Sequence, residues 1–383
     1  MTEHGDAVPA WIGPFRVTRR LGSGGMAEVF EAERRVGGEA GPVQRVCVKR
    51  ILPALAPEPE LHALFAREGR LVAALSHRAI ARLVDFGVDR GAPYLALELV
   101  EGLDLRALLR RQRDRRLPPE VVALLAVELA EALAHAHARR ILHRDVSPAN
   151  VLVSREGEVK LTDFGVGKAL DAGLARSLVV RGNLGYLAPE RLDPRAPTSA
   201  SADLFSLGAV LFECLTGARP HRTPAIEAGA EPATLRGLEA PAPLVAIVER
   251  LVALDPRRRP RSAREVVDTL APIAKEALAR RALAARVREA ERGAPPTPPQ
   301  VPARWRRYAL GPKAWRDVAR AQAMRSSHTG QPPPEERTAP DPVAHDEATL
   351  ALPAAWRVSP WTVGLAAASL LAALGLTWWL ASS

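Results

Sequence analysis

The sequence predicts an α+β chain in two lobes, a small strand-rich one followed by a larger helical one, with one transmembrane helix at the C-terminal end. Three observations carry that prediction. Residues 15–100 fall into short β-branched runs and a glycine turn, with a single helical stretch among them. From residue 104 onward apolar residues recur at helical spacing. Residues 358–383 contain no charged side chain.

In order, "FRVTRRLGSGGMAEVFEAE" (15–33) reads as strand, glycine turn, strand, and "RVCVKRIL" (45–52) as a β-branched strand. "ELHALFAREGRLVAALS" (60–76) has the apolar period of a helix. "RLVDFGVD" (82–89) and "PYLALELV" (93–100) complete the strand-rich lobe. "DLRALLRRQ" and then "PPEVVALLAVELAEALAHAHARR", which opens on proline, begin the helical lobe. His135 and His137 in the second of these are ordinary side chains by spacing, with no third ligand at a suitable distance along the chain. The loop "HRDVSPAN" (143–150), the hairpin-like "VLVSREGEVKLTDFG" (151–165) and the helices "SADLFSLGAVLFECLTG" and "LVAIVERLVAL" follow. Residues 271–293 read as one Ala/Arg helix, and the Pro-rich residues 294–357 as an extended linker. No internal repeat is visible.

A chain of 383 residues can bury a sizeable core. Its formal charge of +10 is spread along the sequence and carried by arginine, so it selects no partner. The basic stripe interleaved with aromatics that nucleic-acid binding would want is missing from the long N-terminal part, and no nucleic-acid partner is expected. Cys47 and Cys214 are the only cysteines and have no metal-ligand spacing, which suggests a reducing compartment. The opening residues lack the basic and apolar regions of a signal peptide. "WTVGLAAASLLAALGLTWWL" (361–380) has about the ~20 apolar residues that cross a bilayer. Trp361, Trp378 and Trp379 would sit at its two interfaces. A buried core helix is the alternative. Arg357 and the basic stretch 304–325 precede the run, so the positive-inside tendency puts the folded domain in the cytoplasm, tethered to the lipid bilayer by a single span over 360–380.

The glycine turn "LGSGGMAEV" places Gly22, Gly24 and Gly25 between two strands, where backbone N–H groups can face phosphates. Alone it is weak, and Ala27 stands where a third glycine would be expected. Lys49 ends the strand "VCVK", and Glu68 lies nineteen positions on, in the next helix. A buried lysine needs such a carboxylate to stay charged, and so held it can grip the α- and β-phosphates of a nucleotide. Asn150 and Asp163 offer the oxygen ligands suited to Mg²⁺. Asp145 could orient a hydroxyl and accept its proton. The chain has only five lysines against forty-eight arginines, and Lys49, Lys160 and Lys168 all fall in these segments. One of its two asparagines is Asn150.

This set, in this order, resembles the eukaryotic-type (Hanks-type) protein kinases, and in particular the bacterial membrane-anchored serine/threonine kinases. The resemblance covers residues 15–270. It implies the two-lobed protein-kinase-like fold, ATP and Mg²⁺ as cofactors, protein substrates of unknown identity, and a second copy of the chain as partner in autophosphorylation. It implies a nucleotide-covering loop of Leu21, Gly22, Ser23, Gly24, Gly25, Met26, Ala27, Glu28 and Val29. Lys49 would pair with Glu68, Asp145 would be the catalytic base, and Asn150 and Asp163 would hold metal. Glu98 to Val100 would face adenine, with Leu97 as gatekeeper, Asp104 near the ribose and Leu152 also in the nucleotide site. Glu190 would pair with Arg259, and Asp203 would anchor the catalytic loop.

Three departures from the family pattern stand out. Ser147 occupies the place of the catalytic-loop lysine, and Asn183 that of a threonine expected to touch it. The stretch between "TGARPHR" and "PLVAIVERL" is short, so a substrate-docking helix could be missing. Ser177, with Arg144 as its receiver, is the candidate autophosphorylation site. A feebly active, membrane-tethered nucleotide-binding scaffold is the alternative to a working serine/threonine kinase.

Overall fold

The computed structural model describes residues 8–23, 27–38, 40–57, 59–164, 184–192, 198–220, 234–235 and 237–293. Gly24, Gly25, Met26, Ser177, Asn183, most of the short stretch after "TGARPHR" and all of 294–383, the expected span included, lie outside them.

The first lobe is an antiparallel sheet of β1 (Trp11–Ile12), β2 (Phe15–Ser23), β3 (Ala27–Arg35), β4 (Val43–Ile51), β5 (Leu83–Asp89) and β6 (Ala92–Glu98), in the order β1-β2-β3-β4-β6-β5. Arg90 and Gly91 turn the β5–β6 hairpin, both at positive φ, as a two-residue turn requires. The sheet buries both faces. Phe15, Phe30, Val46, Val48 and Ala96 pack on one side. Ile51, Leu55, Phe65 and Leu95 pack on the other, beneath helix α1 (Pro59–Ala73). Because β6 is covered on both sides, its residues read as a continuous apolar run.

The second lobe opens with β7 (Gly102–Asp104) and α2 (Leu105–Arg111), then α3 (Pro119–Ala138) and the hairpin β8 (Val151–Ser154)–β9 (Val159–Leu161). β7, β8 and β9 form a small antiparallel sheet. Helices α4 (Ala200–Thr216), α5 (Ala242–Leu251), α6 (Ala263–Leu270) and α7 (Glu276–Arg292) follow. Among the described residues α3 alone is long and apolar enough to cross a membrane, and 72% of it is buried in the protein, so it is a core helix. α4 is apolar for the same reason and ends on Gly217 at φ 74, where a Cβ would lie 2.5 Å from the Asp114 carbonyl. Ser262 caps α6 by accepting from the Glu265 N–H.

The single helix expected over 271–293 is two elements. Residues 271–273 finish α6 as a 3₁₀ turn, Lys275 enters the left-handed region at φ 34, and α7 starts afresh at Glu276. The break redirects α7 onto the second lobe, where Ala279, Leu283, Ala284, Val287 and Ala290 are buried.

Candidate active site

Among the described residues, two backbone segments connect the lobes. Residues 99–101 do so covalently. The loop 76–81 does so through Ala81 N–H to Leu161 O (2.9 Å) and Leu161 N–H to Ala79 O (2.8 Å). The cleft between these connections collects Lys49, Glu68, Asp145, Asn150 and Asp163.

Lys49 stands opposite Val29 on β3 and Leu95 on β6, so all three share the sheet face turned to the cleft. Its Nζ donates to Glu68 Oε1 at 3.0 Å and to Asp163 Oδ1 at 2.8 Å. Burial disfavours the ammonium, but the two carboxylates outweigh it and hold the lysine charged well above its usual range. Burial pushes the Glu68 carboxyl up, to about 7, against the pull of Lys49. Burial also raises Asp163, yet the Lys49 charge and hydrogen bond win and keep it below the usual carboxylate range.

Asp163 follows β9 and Asn150 precedes β8, so one hairpin carries both at its open end. Thr162 N–H donates to Asn150 O at 3.0 Å and ties the two ends together. The Asn150 amide nitrogen donates to Asp145 O at 2.8 Å and Asp145 Oδ2 at 3.1 Å. That assignment of the amide turns its oxygen away from Asp145. An amide oxygen and a carboxylate from one hairpin fit a hard divalent cation that takes few protein ligands and shares phosphate oxygens. No group of three or more His, Cys, Asp or Glu with metal-site geometry exists among the described residues.

The loop bearing Asp145 is hung on Asp203 of α4. The Asp203 carboxylate accepts from His143 N (2.9 Å), Arg144 N (2.7 Å) and His137 Nε2 (2.8 Å). Burial raises this carboxyl, and the donors outweigh burial and keep it ionised. His143, fully buried, accepts from Asp145 N–H at Nδ1 and therefore donates from Nε2 to Thr162 O at 2.9 Å. Arg144 and Asp163 both adopt positive φ, 72° and 64°, which side chains other than glycine hold only at a cost of roughly 1 kcal/mol. Lower down, Arg259 meets Glu190 with two parallel bonds of 2.7 and 2.8 Å.

Other singled-out residues take different places. Leu21, Gly22 and Ser23 end β2, with Gly22 opposite Val29 and Ser23 opposite Glu28. Ala27 packs on the cluster beneath α1. The Glu28 side chain leaves the cleft altogether: it alternates with Val29 and pairs with Arg20 and Arg50 on the far face. Leu97 is nearly buried opposite Cys47. Burial pushes the Cys47 thiol up to about 12. The Glu98 carboxylate is engaged by Lys160 (2.8 Å) and Arg82 N–H (3.1 Å). Asp104 caps α2, accepting from Ala107 N–H at 2.7 Å. Val100 is half-buried after β6, and Leu152 lies half-buried opposite Asp104.

Residues 15–269 match the family described as the protein kinase domain. The chain belongs to the protein kinase family. The kinase is 37% identical over 216 residues to the serine/threonine-protein kinase PknH of Mycobacterium bovis, covering 56% of this chain and 35% of that protein. It is 34% identical over 267 residues to PknD of Mycobacterium tuberculosis, covering 66% of this chain and 39% of that one. The kinase thus spans about a third of the length of the curated relatives it matches. Among solved structures, the PknI kinase domain of M. tuberculosis aligns with a TM-score of 0.54 at 28% identity, covering 70% of this chain and 99% of that domain. The family uses ATP and a divalent metal.

Within the kinase, Ser147, two positions after Asp145, is fully buried. His137, ordinary by its sequence spacing, is a partner of Asp203, and nothing local to its helix marks it as such.

Proposed function

We propose that this protein is a serine/threonine kinase that transfers the ATP γ-phosphoryl group to protein hydroxyls in the cytoplasm while tethered to the membrane. The observation that carries the reading is Lys49, bonded at once to Glu68 of the first lobe and Asp163 of the second. In this reading Lys49 holds the α- and β-phosphates, and Asn150 and Asp163 hold Mg²⁺, which supplies charge neutralisation at the phosphates. Asp145, hung on α4 through Asp203, orients the incoming hydroxyl and takes its proton. The strand end after Leu97, at residues 98–100, offers its backbone to the adenine edge. Lys49→Met and Asp163→Ala should each abolish phosphoryl transfer from ATP to a generic protein substrate, and near-normal transfer by either would overturn the assignment.

A second reading, a nucleotide-binding scaffold of low turnover, has one observation behind it. Ser147 stands where the family carries lysine, and it is fully buried. ATP binding by the wild-type chain without turnover would favour the scaffold. Binding retained in Asp145→Asn while phosphorylation vanishes would favour the kinase. The uncharged run 361–380 with its terminal tryptophans supports the single span. Truncation after Ala355 should then free the protein from high-salt-resistant membrane fractions.

A further inference from the structure

Helix α7 lies beyond the matched family domain, which ends at residue 269. Its apolar stripe would be enough to keep it on the second lobe, but three of its polar contacts meet on one place, the β8–β9 turn, besides those that Arg280 makes to Glu128 of α3 and Arg286 to Gln112. Arg155 Nε donates to Glu291 Oε2 at 2.8 Å, and Arg288 donates to Arg155 O at 2.6 Å. Arg280 donates to Gly157 O at 3.2 Å. Gly157 sits at φ 82, and a Cβ there would lie 2.3 Å from the Arg280 carbonyl, so the turn admits the helix backbone only because this residue is glycine.

The turn so gripped is connected to the site in two directions. Its hairpin carries Asn150 and Asp163 at the open end. Arg155 also reaches the interlobe connection: its N–H donates to Glu101 O at 2.9 Å, and its guanidinium lies 3.6 Å from the Glu101 carboxylate, which pairs in turn with Arg45 on β4. Near the helix start, Arg280 and Arg78 share the buried carboxylate of Glu128, and Arg78 belongs to the second interlobe connection.

We propose that α7 is a positioning element of the nucleotide site. Arg155 and Glu291 act as positioning residues and Gly157 as the seat, together setting how the β8–β9 hairpin lies against residues 99–101. The helix is then part of the catalytic unit, and a kinase cut at the family boundary would lack it. This rests on the reading of residues 98–100, Asn150 and Asp163 as the nucleotide site.

The test uses the full chain in detergent. Arg155→Ala, Glu291→Ala, their double variant and Gly157→Ala are compared for KM of ATP, kcat, equilibrium ATP binding without turnover, and amide exchange over residues 99–104 and 150–163. Each single variant should raise the KM of ATP about threefold with kcat changed by less than about twofold, the double no further than either single. The affected segments should exchange faster, and for the two charge variants the gap to wild type should narrow as salt is raised. Gly157→Ala should act the same way with no charge removed. If Gly157→Ala does not fold, the Arg155–Glu291 cycle decides the matter. Unchanged KM and exchange, or a lowered melting temperature at unchanged KM, would make α7 a structural helix only and overturn the proposal. Lys49→Met in the same binding assay separates the two levels: wild-type ATP affinity there would sink the nucleotide-site reading itself, whatever the α7 variants do.

Discussion

The two halves of the site are held by opposite means. In the second lobe the loop bearing Asp145 hangs from one buried carboxylate, Asp203, through two backbone hydrogen bonds, with His137 of α3 bonded to the same carboxylate, all inside a single packed body. In the first lobe one lysine reaches from β4 to α1 and across the cleft to Asp163. The first arrangement is a product of folding and exists whenever the second lobe does. The second exists only while the two lobes hold their present separation. On the proposed reading, a site built this way keeps its proton-accepting loop ready and makes its phosphate grip conditional.

Substitutions should divide along that line. Lys49→Met should lower kcat/KM by about 10³-fold or more, since on the proposed reading it removes the charge that holds the nucleotide. Its cost in urea unfolding should be only ~1–2 kcal/mol, because the Glu68 left behind can take a proton. Asp203→Ala should do the reverse in kind: about 3–5 kcal/mol lost in urea unfolding, because His137 and two backbone N–H groups are left buried without their acceptor. A small stability loss in Asp203→Ala would show that the loop is held by other contacts.

The next effect concerns pH. Glu68 has its folded value raised to about 7, so folding favours its neutral form. Its contribution to stability is complete at low pH and is lost as pH rises through about 7. The ion pair with Lys49 runs the other way, since the carboxylate forms only above that value. The kcat/KM of the wild type should therefore climb through about pH 7, and Glu68→Gln should lose that limb. A limb that survives in Glu68→Gln belongs to another group. The smallest effect is expected on the outer sheet, where Arg16 and Glu33 pair on half-exposed strands. Removing either should cost less than about 1 kcal/mol in thermal melts.

That Lys49, Glu68 and Asp163, and Asp145 and Asn150, belong together was legible in the sequence; the directions of other side chains were not. Lys49, Glu68, Asp145, Asn150 and Asp163 could be picked out because few residue types can hold phosphates, bind a hard cation or accept a proton. Glu28 entered the nucleotide loop by resemblance; its side chain pairs with Arg20 and Arg50 on the face opposite Val29, and alternation alone does not show which face is the cleft. Asp104 reads as a polar residue near a cleft, while the free N–H of Ala107 makes it a helix cap. The strands and long helices followed from periodicity, but the break at Lys275 did not. A left-handed lysine has no sequence signal, and the docking of the apolar stripe of α7 on the second lobe gives it a reason.

The two thiols have a practical corollary for reagent chemistry. Cys47 is held at about 12 and Cys214 is raised further by burial, so both stay protonated at neutral pH. Thiolates, and not thiols, attack maleimides and iodoacetamides. A cysteine introduced on an exposed helix face, such as at Arg281 of α7, would out-compete both native residues for a fluorophore or spin label. The position of that helix relative to the cleft could then be measured by spectroscopy in a chain that keeps its own cysteines.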